Sequence, residues 1–294
     1  MSKQLKADLM LLMATMFWGT SYLLTKVGLG NLEAFNLTAL RFDIGFIIAA
    51  VVMYKKLLNI NLKTLWYALI LGTILSFVFV AMTYGVANTT ASNAGFMVSL
   101  TMLFIPMISW LIFKRRPPTK VLVSLGIALI GIALLTLNSS LSMGIGDILC
   151  ILCAIFNAIH IIVTDKLTKD VDSITLGILQ LGVVGIINTI ISFAIETPHM
   201  PSTSEAWISI LGLSITCTAI GIIVQTYAQQ FTTPTHAGLI FSLESVFSAI
   251  FSFIFLAEIL SSRGYIGAVL MVLSLFIMEL DSGWISKKFL LKKA

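Results

Sequence analysis

Ten apolar runs, each near twenty residues, follow one another along the chain with short links between them. They lie at about 7–29, 33–54, 64–86, 91–113, 119–137, 145–165, 173–196, 206–230, 236–256 and 263–281. A helix of about 20 residues spans a hydrocarbon core about 30 Å thick. At that depth every backbone polar group must be paired inside the segment, so the runs are predicted to be helices. The hydrophobic fraction is 58%, charged residues make up 11%, and the mean hydropathy is +1.03, too apolar for a water-soluble chain of 294 residues. The expected fold class is therefore all-α integral membrane, with ten transmembrane helices. Lys3 and Lys6 give the first run the basic start of a signal peptide. Its apolar part is too long for one, no small-x-small cleavage site follows it, and nine more runs come after, so it is expected to be a retained helix.

One stretch is used twice. Residues 83–100 and 226–243 align without a gap, and Thr83, Tyr84, Thr89, Thr90, Ala94, Gly95, Ser99 and Leu100 match Thr226, Tyr227, Thr232, Thr233, Ala237, Gly238, Ser242 and Leu243. A constant shift of 139 sets Asp8, Phe17, Lys26 and Arg41 opposite Asp147, Phe156, Asp165 and Gln180, and Trp66 falls opposite Trp207. Duplication at this scale marks two copies of one unit. Five helices per unit is an odd number, so the second copy enters the membrane upside down. The prediction is two inverted five-helix repeats, 1–138 and 145–281, followed by a basic tail, 282–294.

Charge placement orients the chain. With the N-terminus inside, cytoplasmic segments hold fifteen of the eighteen Lys and Arg residues, among them Lys55, Lys56, Lys63, Lys114, Arg115, Arg116, Lys166 and Lys169. Arg263 falls outside, and Lys26 lies near the outer end of the first helix. The positive-inside rule places both termini in the cytoplasm. The net charge of +5 thus reads as topology, with the lysine tail near anionic headgroups, and not as a nucleic-acid surface. Cys150, Cys153 and Cys217 all fall inside runs; they suit packing, and a disulfide framework is not indicated.

Polar residues within the runs are the candidate site. Cys150, Cys153, Asn157, His160 and Thr164 recur at helical spacing on the sixth run. Such a stripe faces the bundle interior or a watered cavity, where it forms a cavity wall or interhelical hydrogen bonds. Glu244 shares a small-residue face of the ninth run with Ala237, Phe241, Ser248 and Ser252. Arg41 lies between Thr38 and Gly45 on an inward face of the second, and Asp43 cannot share that face. Arg41 and Glu244 each sit about eight residues inside a membrane boundary, roughly 12 Å at 1.5 Å per residue, and so near the midplane. Charge there costs at least about 2.5 kcal/mol on insertion scales and marks function. An Arg41–Glu244 ion pair and direct contact with a charged substrate are both open. Trp18 is placed either to stack on a ligand or to fill the core. Tyr84 and Tyr227 are repeat partners that either gate or anchor at the interface. Gln225 and Gln229 share a face as cavity donors, Gln180 stands opposite Arg41 in the repeat, and His236 is an interfacial polar residue or a pH-responsive one.

Several chemistries are missing. There is no Walker motif, no His-Glu-x-x-His, no G-x-S-x-G and no nucleophile with a base nearby, so no enzyme, cofactor or metal is expected. A ten-helix inverted repeat with polar residues near the midplane is a secondary-transporter architecture.

The chain resembles the drug/metabolite transporter superfamily, in its EamA-type ten-helix branch. The resemblance is carried by Phe17-Trp18-Gly19 with Lys26, by Leu40-Arg41-Phe42, and by Ala94-Gly95 through Pro106. In the second half it is carried by Ser242-Leu243-Glu244 with Glu258, and by Gly267. It implies small-molecule transport across the bacterial inner membrane, often efflux. It also implies a central cavity formed by helices 1–4 and 6–9, with helices 5 and 10 peripheral. The family's Glu-Pro in helix 9 is Glu244-Ser245 here, and its acid at the end of helix 4 is replaced by Lys114-Arg115-Arg116.

The expected activity is alternating-access secondary transport of a small polar, amino acid-like metabolite, by efflux. A proton-coupled multidrug or metabolite importer is the near alternative, and a non-transporting membrane scaffold the distant one. The substrate-cavity residues are Trp18, Arg41, Tyr84, Asn157, His160, Gln180, Gln225, Tyr227 and Glu244. The partners are a small solute and the lipid bilayer, with proton or ion coupling and the choice of monomer or homodimer left open.

Overall fold

The computed structural model describes residues 3–58, 60–89, 91–114, 117–136, 144–256 and 262–279. Every regular element among them is helical. In chain order they are α1 (Lys3–Leu29), α2 (Ala34–Val52), α3 (Leu62–Ala87), α4 (two pieces, Ala91–Ser99 and Thr101–Phe113), α5 (Thr119–Thr136), α6 (Ile145–Leu167), α7 (Ser173–Ile195), α8 (Ser204–Gln229), α9 (two pieces, Pro234–Ser242 and Glu244–Leu256) and α10 (Ser262–Glu279). Six of these, α1, α2, α3, α6, α7 and α8, are long and apolar enough to cross a membrane. The shorter helices lie where runs four, five, nine and ten were expected. The link at 138–142, Glu258 and the tail 282–294 lie outside the described residues.

Local sequence sets several starts. Asn61, Asp172, Thr203 and Thr233 each accept a hydrogen bond from the backbone N–H three residues on, and Pro234 follows the last of these caps. Such caps satisfy donors that a helix leaves unpaired, each contributing about 1 kcal/mol. Two breaks fall inside the duplicated stretch. The pieces of α4 meet at Leu100 and those of α9 at Leu243, aligned positions of the two copies. The break in α9 leaves Glu244 in the first turn of a helix, where the dipole favours a carboxylate.

α2 and α7 lie antiparallel. Glu196, after α7, accepts hydrogen bonds from the N–H groups of Phe35 (2.9 Å) and Asn36 (2.7 Å) at the start of α2. At the opposite end Lys56 reaches Asp172 at 2.9 Å, and the Thr175 hydroxyl donates to the Lys56 carbonyl at 3.2 Å. Between the ends, Asp43 packs on Gly185 and Phe46 packs on Gly182. In the 139-residue register Phe46 is the counterpart of Gly185, and Asp43 of Gly182. Each helix therefore meets the other through corresponding positions, the pattern of a two-fold contact.

Other contacts recur in the same register. α3 packs on α6 and α8 on α1; α4 packs on α6 and α9 on α1; α5 packs on α10. Small residues permit the closest approaches: a Cβ on Gly85 would lie 3.2 Å from the Gly146 carbonyl, and one on Gly131 would lie 2.8 Å from that of Gly267. Tyr22, Phe42, Leu75, Met82, Leu181 and Ile222 belong to one core cluster, and Leu11, Ile105, Ile161, Ala228 and Phe241 to another. Large apolar side chains also cover the outside, with Val52 and Phe193 each 74% exposed. Lipid tails remove the penalty that water would impose on such a surface.

Candidate functional site

Where the two core clusters meet, α1, α2, α3, α4, α6, α8 and α9 surround a cavity of about 50 Å³. Its polar lining comes from Trp18, Ser21, Tyr22, Arg41, Asn157, Gln225 and Glu244, and its apolar lining includes Phe79, Met82 and Val98.

Arg41 is 1% exposed and held on several sides. Its Nε donates to the Thr218 hydroxyl at 2.6 Å and its Nη1 reaches the Ser21 hydroxyl at 3.5 Å. The guanidinium carbon stands 4.5 Å from the centre of the Phe79 ring, a cation–π distance. Nη2 is buried and has no hydrogen-bond partner among the described residues. A buried guanidinium nitrogen without a protein acceptor is costly, and in a cavity wall it keeps a donor free for an anion.

Glu244 is half-buried in the same wall. The Tyr22 hydroxyl interacts with its carboxylate, and the opposite charge of Arg41 acts on it through the cavity. Among the described residues, no ion pair within 4.0 Å joins Arg41 to Glu244. The cavity thus presents a cation and an anion that are not spent on each other.

A π-helical segment of α8, Leu213–Ile220, positions two of these side chains. It offers the Thr218 hydroxyl to Arg41 and the Cys217 carbonyl to the Trp18 indole N–H at 2.8 Å. A Cβ on the neighbouring Gly221 would lie 2.7 Å from that indole nitrogen, so glycine leaves the room the tryptophan needs. π segments inside helices occur often at functional sites.

Five of the nine residues singled out from sequence line this cavity: Trp18, Arg41, Asn157, Gln225 and Glu244. Trp18 also packs on Phe241 at 5.2 Å, so it fills core and lines cavity at once. His160 and Gln180 form a separate buried chain: His160 Nε2 meets Gln180 Oε1 at 3.0 Å, and Gln180 Nε2 donates to the Thr226 hydroxyl at 2.7 Å. Tyr84 and Tyr227 line a different part of the fold, against Phe35 (5.5 Å) and Phe231 (5.4 Å). Gln229 accepts from Gln225 at 3.3 Å, and His236 Nε2 reaches Asp8 at 3.2 Å.

Ser21, Tyr22 and Thr218 were missed. Tyr22 follows the Phe17-Trp18-Gly19 motif by one helical turn from Trp18, which was the available signal. The three cysteines are free and buried, and Cys153 lines the cavity.

The comparisons with known proteins agree with this architecture. An uncharacterized transporter of Archaeoglobus fulgidus is 29% identical over 279 residues, covering 95% of this chain and 87% of the relative. A second one from that organism is 26% identical over 288 residues, covering 92% and 96%. An uncharacterized transporter of Methanothermobacter thermautotrophicus is 25% identical, covering 90% and 83%. A solved crystal structure superposes with a TM-score of 0.78 at 18% identity, over 94% of this chain and 96% of that one, which speaks to the fold alone. The model of the EamA-like transporter family matches residues 5–137 and 144–280. By these matches the chain is a multi-pass membrane protein that belongs to the EamA-like transporter family.

Proposed function

We propose that this protein is a secondary transporter that exports a small zwitterionic, amino acid-like metabolite by alternating access. The observation that carries the reading is the central cavity, in which the unpartnered Nη2 of Arg41 and the carboxylate of Glu244 face one space without pairing. Arg41 meets the solute's carboxylate and Glu244 its ammonium group. Charge-assisted bonds of this kind are stronger than neutral ones, and more so where water is excluded.

The proposed topology is ten spans in two inverted repeats, 1–138 and 145–281, with both termini in the cytoplasm of a bacterial inner-membrane protein. Two family matches in succession, the antiparallel lay of α2 on α7 and the breaks at Leu100 and Leu243 support it. Rocking of one repeat against the other exposes the cavity to each side in turn. A scaffold has no need of a cavity with unspent charges at its centre. Proton coupling through Glu244 is the second reading, supported by the placement of that carboxylate in the half-buried wall of the cavity.

The test is a thermal-shift screen of purified protein against amino acids, their decarboxylated amines and their deaminated acids. Zwitterions are expected to stabilise the protein most. Equal stabilisation by either singly charged analogue contradicts the two-charge site.

A further inference from the structure

A second space of about 220 Å³ lies between α2 and α7, beneath the chain that follows α7. Asn36, Asp43, Thr189, Phe193, His199 and Met200 are among its walls. It is remote from the Arg41 face, because Asp43 turns toward Gly185 of α7.

Three carboxylates stand in this region and they differ in how they are satisfied; Glu33 accepts from the Thr197 N–H at 3.3 Å. Glu196 accepts from the N–H groups of Phe35 and Asn36 and from the Ser192 hydroxyl at 3.1 Å. Asp43 accepts one hydrogen bond among the described residues, from the Thr189 hydroxyl at 2.7 Å. No cationic side chain forms an ion pair with it within 4.0 Å among those residues. The His199 imidazole shares the pocket, its Nδ1 at 3.0 Å from the Met200 carbonyl. Gly185 supplies the room for the carboxylate. The repeat partner of Asp43 is Gly182, so this acid belongs to one half alone.

The pocket rim is apolar and faces outward: Phe193 is 74% exposed and Met200 66%. A half-buried carboxylate beside a surface that meets lipid is expensive without a counter-charge, and intramembrane acids of this kind mark ligand or ion sites. An aromatic rim adds attraction for a cation.

We infer that the α2–α7 pocket is an ammonium-binding site, with Asp43 as counter-ion and Thr189 fixing its rotamer. The ammonium group comes either from the headgroup of a membrane lipid such as phosphatidylethanolamine or from a soluble amine. The inference is independent of what the central cavity carries.

The test is thermal unfolding of the full chain in neutral detergent with dodecylamine, with dodecanol and with ethylamine. A saturable rise with dodecylamine, on the order of 3 °C at tenfold excess over its Kd, is expected, with no rise for dodecanol. An equal rise with ethylamine at its own saturation assigns the site to soluble amines, and a rise confined to dodecylamine assigns it to lipid headgroups. Measured in the Glu244→Gln background, which removes the central cavity's own carboxylate, Asp43→Asn abolishes the rise in either case. In parallel, native mass spectrometry of the unaltered protein, taken from bilayers of equal phosphatidylethanolamine and phosphatidylglycerol, reports on the lipid arm without relying on a variant. Retention of the ethanolamine lipid over the glycerol lipid supports the headgroup source. Absence of any saturable amine effect together with no lipid preference, or an amine effect unchanged by Asp43→Asn in that background, overturns the inference.

Discussion

Arg41 and Glu244 line one cavity from different halves of the chain, yet no ion pair within 4.0 Å joins them among the described residues. A direct pair would neutralise both charges and leave nothing for a solute. Held apart, each keeps binding capacity, and Arg41 keeps it at Nη2.

Arg41→Ala removes a charge-assisted contact of about 1.5–3 kcal/mol, which corresponds to roughly tenfold to a hundredfold in affinity for carboxylate-bearing solutes. Stabilisation by free amines stays within experimental error of the parent. Arg41→Lys falls between, because a lysine keeps the charge and loses the fork that reaches Thr218 and the cavity together. Thermal-shift titrations check this. Equal losses for acids and amines show that Arg41 acts on structure alone.

Glu244→Gln preserves shape and removes the charge that Tyr22 and Arg41 face. Zwitterion affinity is expected to fall about tenfold or more, while acids without an amine bind as tightly as before or tighter. If Glu244 also carries the coupling proton, transport driven by a pH gradient disappears in this variant and downhill exchange persists. Gradient-driven uptake into liposomes, measured beside exchange, separates the two roles. Retained gradient dependence in the variant excludes coupling at this carboxylate.

Gly221→Ala is expected to disturb the site without touching its charges. The added methyl would sit 2.7 Å from the Trp18 indole nitrogen and push it off the Cys217 carbonyl. Overpacking of this kind costs about 1–3 kcal/mol. Trp18→Phe removes the donor together with part of the ring that packs on Phe241, and the lost hydrogen bond alone costs about 1 kcal/mol. Combining the two changes is expected to cost less than their sum, because both act on one contact. Additive midpoints in thermal unfolding contradict that shared origin.

Asp172 gives a pH-dependent prediction outside the spans. Burial raises its pKa, but the Thr175 N–H, the Lys56 ammonium and the Thr175 hydroxyl outweigh burial and hold it below the usual carboxylate value. The folded pKa is the lower one, so the stabilisation is present above the unfolded value of about 3.9 and is lost as pH falls through the folded value. With its side chain 48% exposed, the gain is small. The midpoint difference between the parent and Asp172→Asn is expected to narrow below about pH 4. A difference that does not change with pH assigns the cap no role for charge.

The helical, multi-pass character was legible because apolar run length is a direct consequence of bilayer thickness. The duplicated stretch was legible in Thr83 through Leu100, and the breaks at Leu100 and Leu243 fall inside it and its copy. Arg41 and Glu244 could be placed because charge within an apolar run stands out. Thr218 could not, since a threonine hydroxyl on a helix reads equally as a back-bond to its own turn. Tyr84 and Tyr227 pack on Phe35 and Phe231, a placement that repeat equivalence does not give, since it shows correspondence and not the direction a ring faces. The π segment that presents Thr218 has no composition signal.

The central claim is that solutes bind between Arg41 and Glu244 and pass through that cavity. Counterflow in proteoliposomes loaded with a mixture of amino acids tests it most directly, with labelled amino acids supplied one at a time outside. The account predicts transient accumulation of at least one of them by the parent protein, and none of that solute by Arg41→Ala reconstituted at equal density. Accumulation by Arg41→Ala that matches the parent, or no accumulation of any amino acid by the parent, contradicts it.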